Sequence, residues 1–182
     1  MKKKFIRSII SSVIALSAAV TTIGGTASFY YSSDPGAITG VVEAASQPAY
    51  TYQGIDVSKW QGDIDWEKVA AAKNVDFVIL RCGYGSDTTS KDDVKWEENV
   101  TACEKYGIPY GVYLYSYATS SSMIDSEVEH IKRLLKGHTP SLPVYIDMEE
   151  SSVISACTAA QISSMAKRYC TKIEAAGYRA GV

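Results

Sequence analysis

The chain has 182 residues, 46% of them apolar and 21% charged, with a formal net charge of −2. That length holds one domain of ordinary size, the balance is that of a globular protein, and the near-neutral charge offers no basic surface for nucleic acid. Tyrosine is over-used, 13 against 3 phenylalanines, which supplies flat apolar faces that end in a hydroxyl.

The N-terminus reads as an export signal. Lys2, Lys3, Lys4 and Arg7 form a positive start, and Ser8 to Ile23 then carry no charge and are mostly apolar or small. The run is short for a membrane span, which takes about 20 apolar residues. Small-residue cleavage sites lie near Ala27 and near Ala44. The second is preferred, because the stretch between them shows no helical or strand pattern. An uncleaved membrane anchor is the competing reading, and both place the protein outside the cytosol. A stretch of Ser, Gly, Ala and Thr with two prolines continues to Tyr52 as a linker. Residues 1–45 are therefore read as signal peptide and linker, and 46–182 as the functional domain.

From Gly54 strands and helices alternate. GIDVS (54–58) reads as a strand, and Asp65 caps the helical run WEKVAAAK with Glu67 in its first turn. FVILRCGYG (77–85) is a second strand, and VKWEENVTACEKYG (94–107) a helix closed by Gly107. PYGVYLYSYA (109–118) is a third strand. The segment 121–137 is amphipathic, with Ile124, Val128, Ile131, Leu134 and Leu135 on one face. PVYIDME (143–149) is a fourth strand, Thr158 and Gln161 form a capping box for a helix running to Gly177, and a fifth strand starts near Arg179. The four cysteines, Cys82, Cys103, Cys157 and Cys170, contain no CxxC, which suggests no zinc site and assigns no disulfide pairs. Cys82 lies in an apolar run and reads as a small buried residue.

Repeated βα units imply a parallel sheet. A doubly wound sheet, a (β/α)8 barrel and a smaller barrel variant all fit that repeat. No GxGxxG follows the first strand and no GxxxxGK[ST] occurs, which counts against the nucleotide-binding sheets. Polar residues at the strand ends favour a barrel, whose active sites collect there. A full barrel takes about 250 residues, so the expectation is a TIM-like barrel with only four βα units and the start of a fifth strand, its C-terminal part missing.

The strongest chemical signal is YIDMEE. Asp147 and Glu149 stand two apart on a predicted strand, so both carboxylates face one side, about 6–7 Å apart. Asp56 lies near the end of the first strand, and in a parallel barrel all strands end at one rim. Convergent carboxylates push one pKa up and leave the others ionised, as glycoside hydrolysis requires. A solvated loop end is the bland explanation for any single acid, and a lone DxE is common by chance. Here it follows the apolar strand PVYI, where burying two carboxylates for stability alone would be costly. A metal site would draw on histidine. His130 and His138 are expected on or just past the third helix, away from the strand ends.

GIDVSKWQGDIDW, FVILRCGYG, YGVYLYSYA, PVYIDMEE and the closing GYRAGV, in that order, resemble glycoside hydrolase family 25, the N-acetylmuramidases often called Chalaropsis-type lysozymes. The resemblance covers about 54 to 182. It implies hydrolysis of the β-1,4 bond between N-acetylmuramic acid and N-acetylglucosamine in peptidoglycan, with assistance from the substrate's acetamido group. It implies Glu149 as general acid, Asp147 as the carboxylate orienting the acetamido group, and Asp56 as the first-strand aspartate on the floor of the site. It implies no metal or organic cofactor, a peptidoglycan glycan strand as partner, and an irregular barrel. The protein is expected to act as a secreted or wall-associated monomer with no stable membrane partner after signal cleavage.

For sugar contact the candidates are Arg81 and Tyr84, toward the end of the second strand, and Tyr115 and Tyr117, nearest the C-terminal end of the third. Core stacking for the tyrosines and an internal ion pair for Arg81 are the structural alternatives. Trp66 is expected to pack at the first helix, and Trp60 to pack or to bind. A non-catalytic wall-binding fragment of such an enzyme is the alternative function. A chitinase is disfavoured, because 140–149 reads PSLPVYIDME and lacks the earlier aspartates of DxxDxDxE.

Overall fold

The computed structural model describes residues 52–182 and three short strands before them: β1 (Val20–Ile23), β2 (Thr26–Phe29) and β3 (Val42–Glu43). β1 pairs with β2 and β2 with β3, both antiparallel. β2 and β3 correct the expectation of no strand pattern between Ala27 and Ala44. Strands of two to four residues are too short to show an alternation, and VTTI and TASF carry the β-branched and aromatic residues that pleated chains favour. The rest of the signal and linker reading lies outside the described residues.

Residues Tyr52–Val182 form a separate compact unit. Along it run β4 (Gly54–Val57), α1 (Trp66–Ala72), β5 (Phe77–Tyr84), α2 (Trp96–Tyr106), β6 (Tyr110–Tyr115), α3 (Ser121–Leu134), β7 (Val144–Asp147), α4 (Ser151–Ala156), α5 (Ala159–Ala175) and β8 (Ala180–Gly181). All strand pairs are parallel, in the order β4-β5-β6-β7-β8. Strictly sequential order rules out a doubly wound sheet, where the order reverses at a switch point. It is the order of a barrel wall. β4 and β8 are not paired with each other, so among the described residues the wall is open.

Helix ends follow their capping residues. Asp65 accepts from Lys68 N at 3.1 Å, Ser120 accepts from Met123 N at 3.4 Å, and Thr158 and Gln161 close a reciprocal box. Gly107 ends α2 in the left-handed region with φ 66°. α4 has no counterpart in the sequence reading. It is six residues long and rich in serine, too short for a helical period, and the Glu150 side chain starts it by accepting from Ser152 N at 3.2 Å. No helix among the described residues is long and apolar enough to cross a membrane.

The sheet has two unlike faces. Val57, Val78, Leu80, Cys82, Val112, Leu114, Val144 and Ile146 are buried, and they join Trp66, Trp96, Ile124, Ile131, Tyr169 and Ile173 of the helices in one core. Because side chains alternate, the same strands turn Asp56, Phe77, Ile79, Arg81, Tyr113, Tyr115, Tyr145 and Asp147 to the opposite face, where they are half-buried. Toward the N-terminal ends of the strands this face is closed by rings over glycines. Gly54 pairs with Phe77 and Gly181 with Tyr145, and a methyl on either glycine would meet the partner's ring at 2.3 Å. The polar residues are thereby left at the C-terminal ends.

Candidate active site

Asp56 sits one residue from the end of β4, where Ser58 and Gln61 cap a 3-10 turn over Lys59–Gln61. Tyr113 lies on β6, two strands away, and its hydroxyl is near enough to lower the pKa of the Asp56 carboxylate. Between them on β5 is Arg81, the register partner of Tyr113. Burial raises the pKa of Asp56, the Tyr113 hydroxyl and the Arg81 charge pull it back, and Glu149 pushes it up again.

Asp147 is the last residue of β7 and pairs in register with Tyr115. Burial, then Glu149, then Asp56 push its pKa up to about 7, and no cause among these lowers it. Asp56, Asp147 and Glu149 are thus close enough to influence one another: the structure brings together the three acids singled out from the sequence. It also shifts one detail. The strand ends at Asp147, so Glu149 lies beyond the ladder and is exposed, and strand alternation does not set its direction.

The other candidates divide. Arg81 forms an internal ion pair with Asp93, its Nη2 2.6 Å from Oδ2. Tyr84 and Tyr117 meet edge to face with ring centroids 6.3 Å apart, and Tyr117 and Tyr115 are tilted at 5.4 Å. These three rings make one aromatic cluster at the C-terminal ends of β5 and β6, with Tyr117 itself exposed. The Tyr115 hydroxyl donates to Glu150 Oε2 at 3.1 Å. Trp66 is buried and donates from Nε1 to Asn99 Oδ1 at 3.2 Å, the packing role expected of it. Trp60 is 75% exposed on the turn after β4, with Lys59 Nζ 4.9 Å above its ring.

Two groups escaped the sequence reading. Asp93 is buried and accepts from Lys59 N, Lys95 N and Arg81 Nε. Glu127 is fully buried on α3 and accepts from Ser116 Oγ at 2.7 Å and Tyr117 N at 2.9 Å, and burial raises its pKa. It falls on the apolar stripe with Ile124, Val128 and Ile131, and a carboxylate at a stripe position is the signal that would have found it. His130 corrects an expectation. It does not lie away from the strand ends: its Nδ1 is 2.9 Å from Gly85 O, the residue after β5, and its Nε2 is 2.7 Å from Asp92 Oδ1. Arg133 closes on both oxygens of Asp92 at 3.0 and 2.6 Å and ties Asp87 as well. A helix of nearly four turns carries its side chains along the strand it packs on, so His130 on α3 meets the residue after β5. Among the described residues no group of three His, Cys, Asp or Glu is placed to hold a metal ion.

Residues 55–182 match the family model Glycosyl hydrolases family 25. Over 70 residues, 38% of this chain and 22% of the relative, the chain is 39% identical to Lysozyme M1 of Streptomyces globisporus. Over 112 residues, 59% of this chain and 39% of the relative, it is 26% identical to YegX of Escherichia coli K12. The chain thus spans about two fifths or less of these relatives. Among solved structures it is similar to the modular autolysin LytC of Streptococcus pneumoniae, with TM-score 0.61 and 24% identity over 88% of this chain and 42% of that one. It is also similar to a lysozyme of Streptomyces coelicolor, with TM-score 0.54 and 20% identity over 70% and 59% of the two chains.

Proposed function

Starting from the fact that the chain belongs to glycosyl hydrolases family 25, we propose that it is a muramidase, cleaving the β-1,4 bond between N-acetylmuramic acid and N-acetylglucosamine in bacterial peptidoglycan outside the cytosol. The observation that carries this reading is the mutual influence of Asp56, Asp147 and Glu149 at one end of the sheet. Lysozyme M1 supports it by analogy, as does LytC, for which a structure in complex with a synthetic peptidoglycan ligand is solved.

The chemistry follows from the unequal surroundings of the three carboxyl groups. With Asp147 raised to about 7, the group retains near neutrality a proton that isolated carboxyls would lose. Asp147 is half-buried and Glu149 exposed. A substrate acetamido N–H donating to Asp147 favours its ionised form. Glu149 then protonates the leaving oxygen. Ionised Asp147 holds the acetamido group while the acetamido carbonyl oxygen attacks the anomeric carbon and the bond to the protonated leaving oxygen breaks, with Asp56 stabilising the positive charge that develops on the sugar; water then adds to the anomeric carbon, reopens the ring so formed and returns a proton to Glu149. Tyr84, Tyr115 and Tyr117 offer ring faces to the glycan, whereas the Arg81 charge is taken up by its ion pair with Asp93.

The test is loss of turbidity of purified peptidoglycan, with the new reducing-end sugar identified. Glu149→Gln is expected to lower the rate about 10²-fold or more, because proton transfer to the leaving group is lost. Clearing that continues undiminished would remove Glu149 from the acid role. Pull-down with peptidoglycan by a chain that never clears it would assign the wall-binding alternative instead.

A further inference from the structure

Arg81 lies between two carboxylates and is engaged by one. Its Nε donates to Asp93 Oδ2 at 2.8 Å, and its Nη2 sits 2.6 Å from the same oxygen. Oδ2 also accepts from Lys59 N at 3.0 Å, and Oδ1 accepts from Lys95 N at 2.9 Å. The Asp93 side chain has no solvent exposure, and its backbone N–H is anchored on Cys82 O of β5 at 2.8 Å. A buried carboxylate is thus filled by donors from the turn after Asp56, from β5, and from the start of α2. Among the described residues Arg81 makes its ion pair with Asp93 and not with Asp56, although its charge acts on Asp56.

A guanidinium closed on Asp56 would occupy the oxygens that face the cleft. We infer that Asp93 is a positioning residue: it holds the Arg81 guanidinium alongside Asp56 but short of it, and fixes the turn that follows Asp56, so that the Asp56 carboxylate stays open to substrate. The inference rests on the muramidase reading of Asp56. The other groups acting on Asp56 are the Tyr113 hydroxyl from β6, Glu149 beyond β7 and, through its own response to Asp56, Asp147. The balance at Asp56, raised by burial and lowered by Tyr113 and Arg81, is what release of Arg81 would disturb.

The experiment is carboxyl 13C NMR titration of Asp56 in the full chain, for the unsubstituted protein, Asp93→Asn, Arg81→Met and the double variant, with the pH profile of peptidoglycan clearing beside it. In Asp93→Asn the freed guanidinium closes on Asp56, and its titration should fall by about one pH unit. In Arg81→Met it should rise, and adding Asp93→Asn to Arg81→Met should produce no fall. A shift in Asp93→Asn of equal size with and without Arg81, or none, would overturn the inference and leave Asp93 as a loop tie. Should Asp93→Asn fail to fold, Arg81→Met is read alone, and an unmoved Asp56 overturns it. The titration is independent of turnover, so failure of the muramidase reading shows separately, as no clearing by the unsubstituted chain.

Discussion

The Tyr113 hydroxyl on β6 acts across β5 on the Asp56 carboxylate on β4 and lowers its pKa against the rise from burial. Tyr113 can span that gap because β6 turns its side chain to the same face as Asp56, and tyrosine is the longest neutral donor available there. Burial and Asp56 itself hold the Tyr113 hydroxyl far above its ordinary pKa, so it is a donor at every working pH. Tyr113→Phe removes the hydroxyl that opposes the burial of Asp56. Asp56 should then titrate higher, and the acidic limb of the pH–rate profile should move up by up to about one pH unit. An unchanged acidic limb would show that ionised Asp56 is not required.

Asp147 makes folding stability depend on pH in a direction that can be checked. Its folded pKa, about 7, lies above the ordinary 3.8. Between those values the folded chain holds a proton that the unfolded chain has lost. Stability from this group is therefore full below about pH 4 and declines as pH rises through 7. Asp147→Asn cannot ionise and should flatten that decline. At pH 8 it should be more stable than the parent by about 1–2 kcal/mol, after discounting for solvent screening of a partly exposed group, and at pH 4 no more stable. Urea denaturation at the two pH values measures this. The same variant should lose most of its clearing activity.

Glu127 supports the aromatic cluster from below. Its two oxygens satisfy the Ser116 hydroxyl and the Tyr117 N–H, which would otherwise be buried without partners at the end of β6. Glu127→Ala should cost about 2–4 kcal/mol, since it leaves a cavity and two orphaned donors. Glu127→Gln keeps one carbonyl oxygen in place, its amide can donate to the Ser116 oxygen, and burial already disfavours the charge, so it should cost less than half as much. Equal losses for the two variants in thermal unfolding would mean that the charge, and not the hydrogen-bond pattern, is what the site needs.

Residues with a period or a cap were legible in the sequence. The alternation of Val78, Leu80 and Cys82 against Ile79 and Arg81 marks a strand with two faces, and Asp65 and Thr158 mark helix starts, all as observed. Asp56, Asp147 and Glu149 were legible as candidates because acids beside apolar strands are costly to bury. Asp93 was not, because it stands among polar residues in TTSKDDVKW and only the fold carries it under the rim. Partners such as Tyr113 for Asp56 or Gly85 for His130 depend on register and on how far a helix overhangs its strand. Neither quantity is local in sequence.

Trp60 separates binding from chemistry. It is 75% exposed on the capped turn after β4, and its indole is not part of the core. Trp60→Ala should therefore leave the thermal midpoint nearly unchanged, as surface substitutions away from such features usually do. An exposed indole on the turn that follows Asp56 offers a stacking surface for a sugar ring. Removing it should weaken substrate and transition state alike, so KM should rise by about tenfold, the equivalent of about 1.4 kcal/mol, with kcat little altered. Initial rates across a range of soluble glycan concentrations decide the matter. A fall in kcat with KM unchanged would instead place Trp60 in contact with the reacting ring, and an unaltered KM with unaltered kcat would leave it outside the cleft.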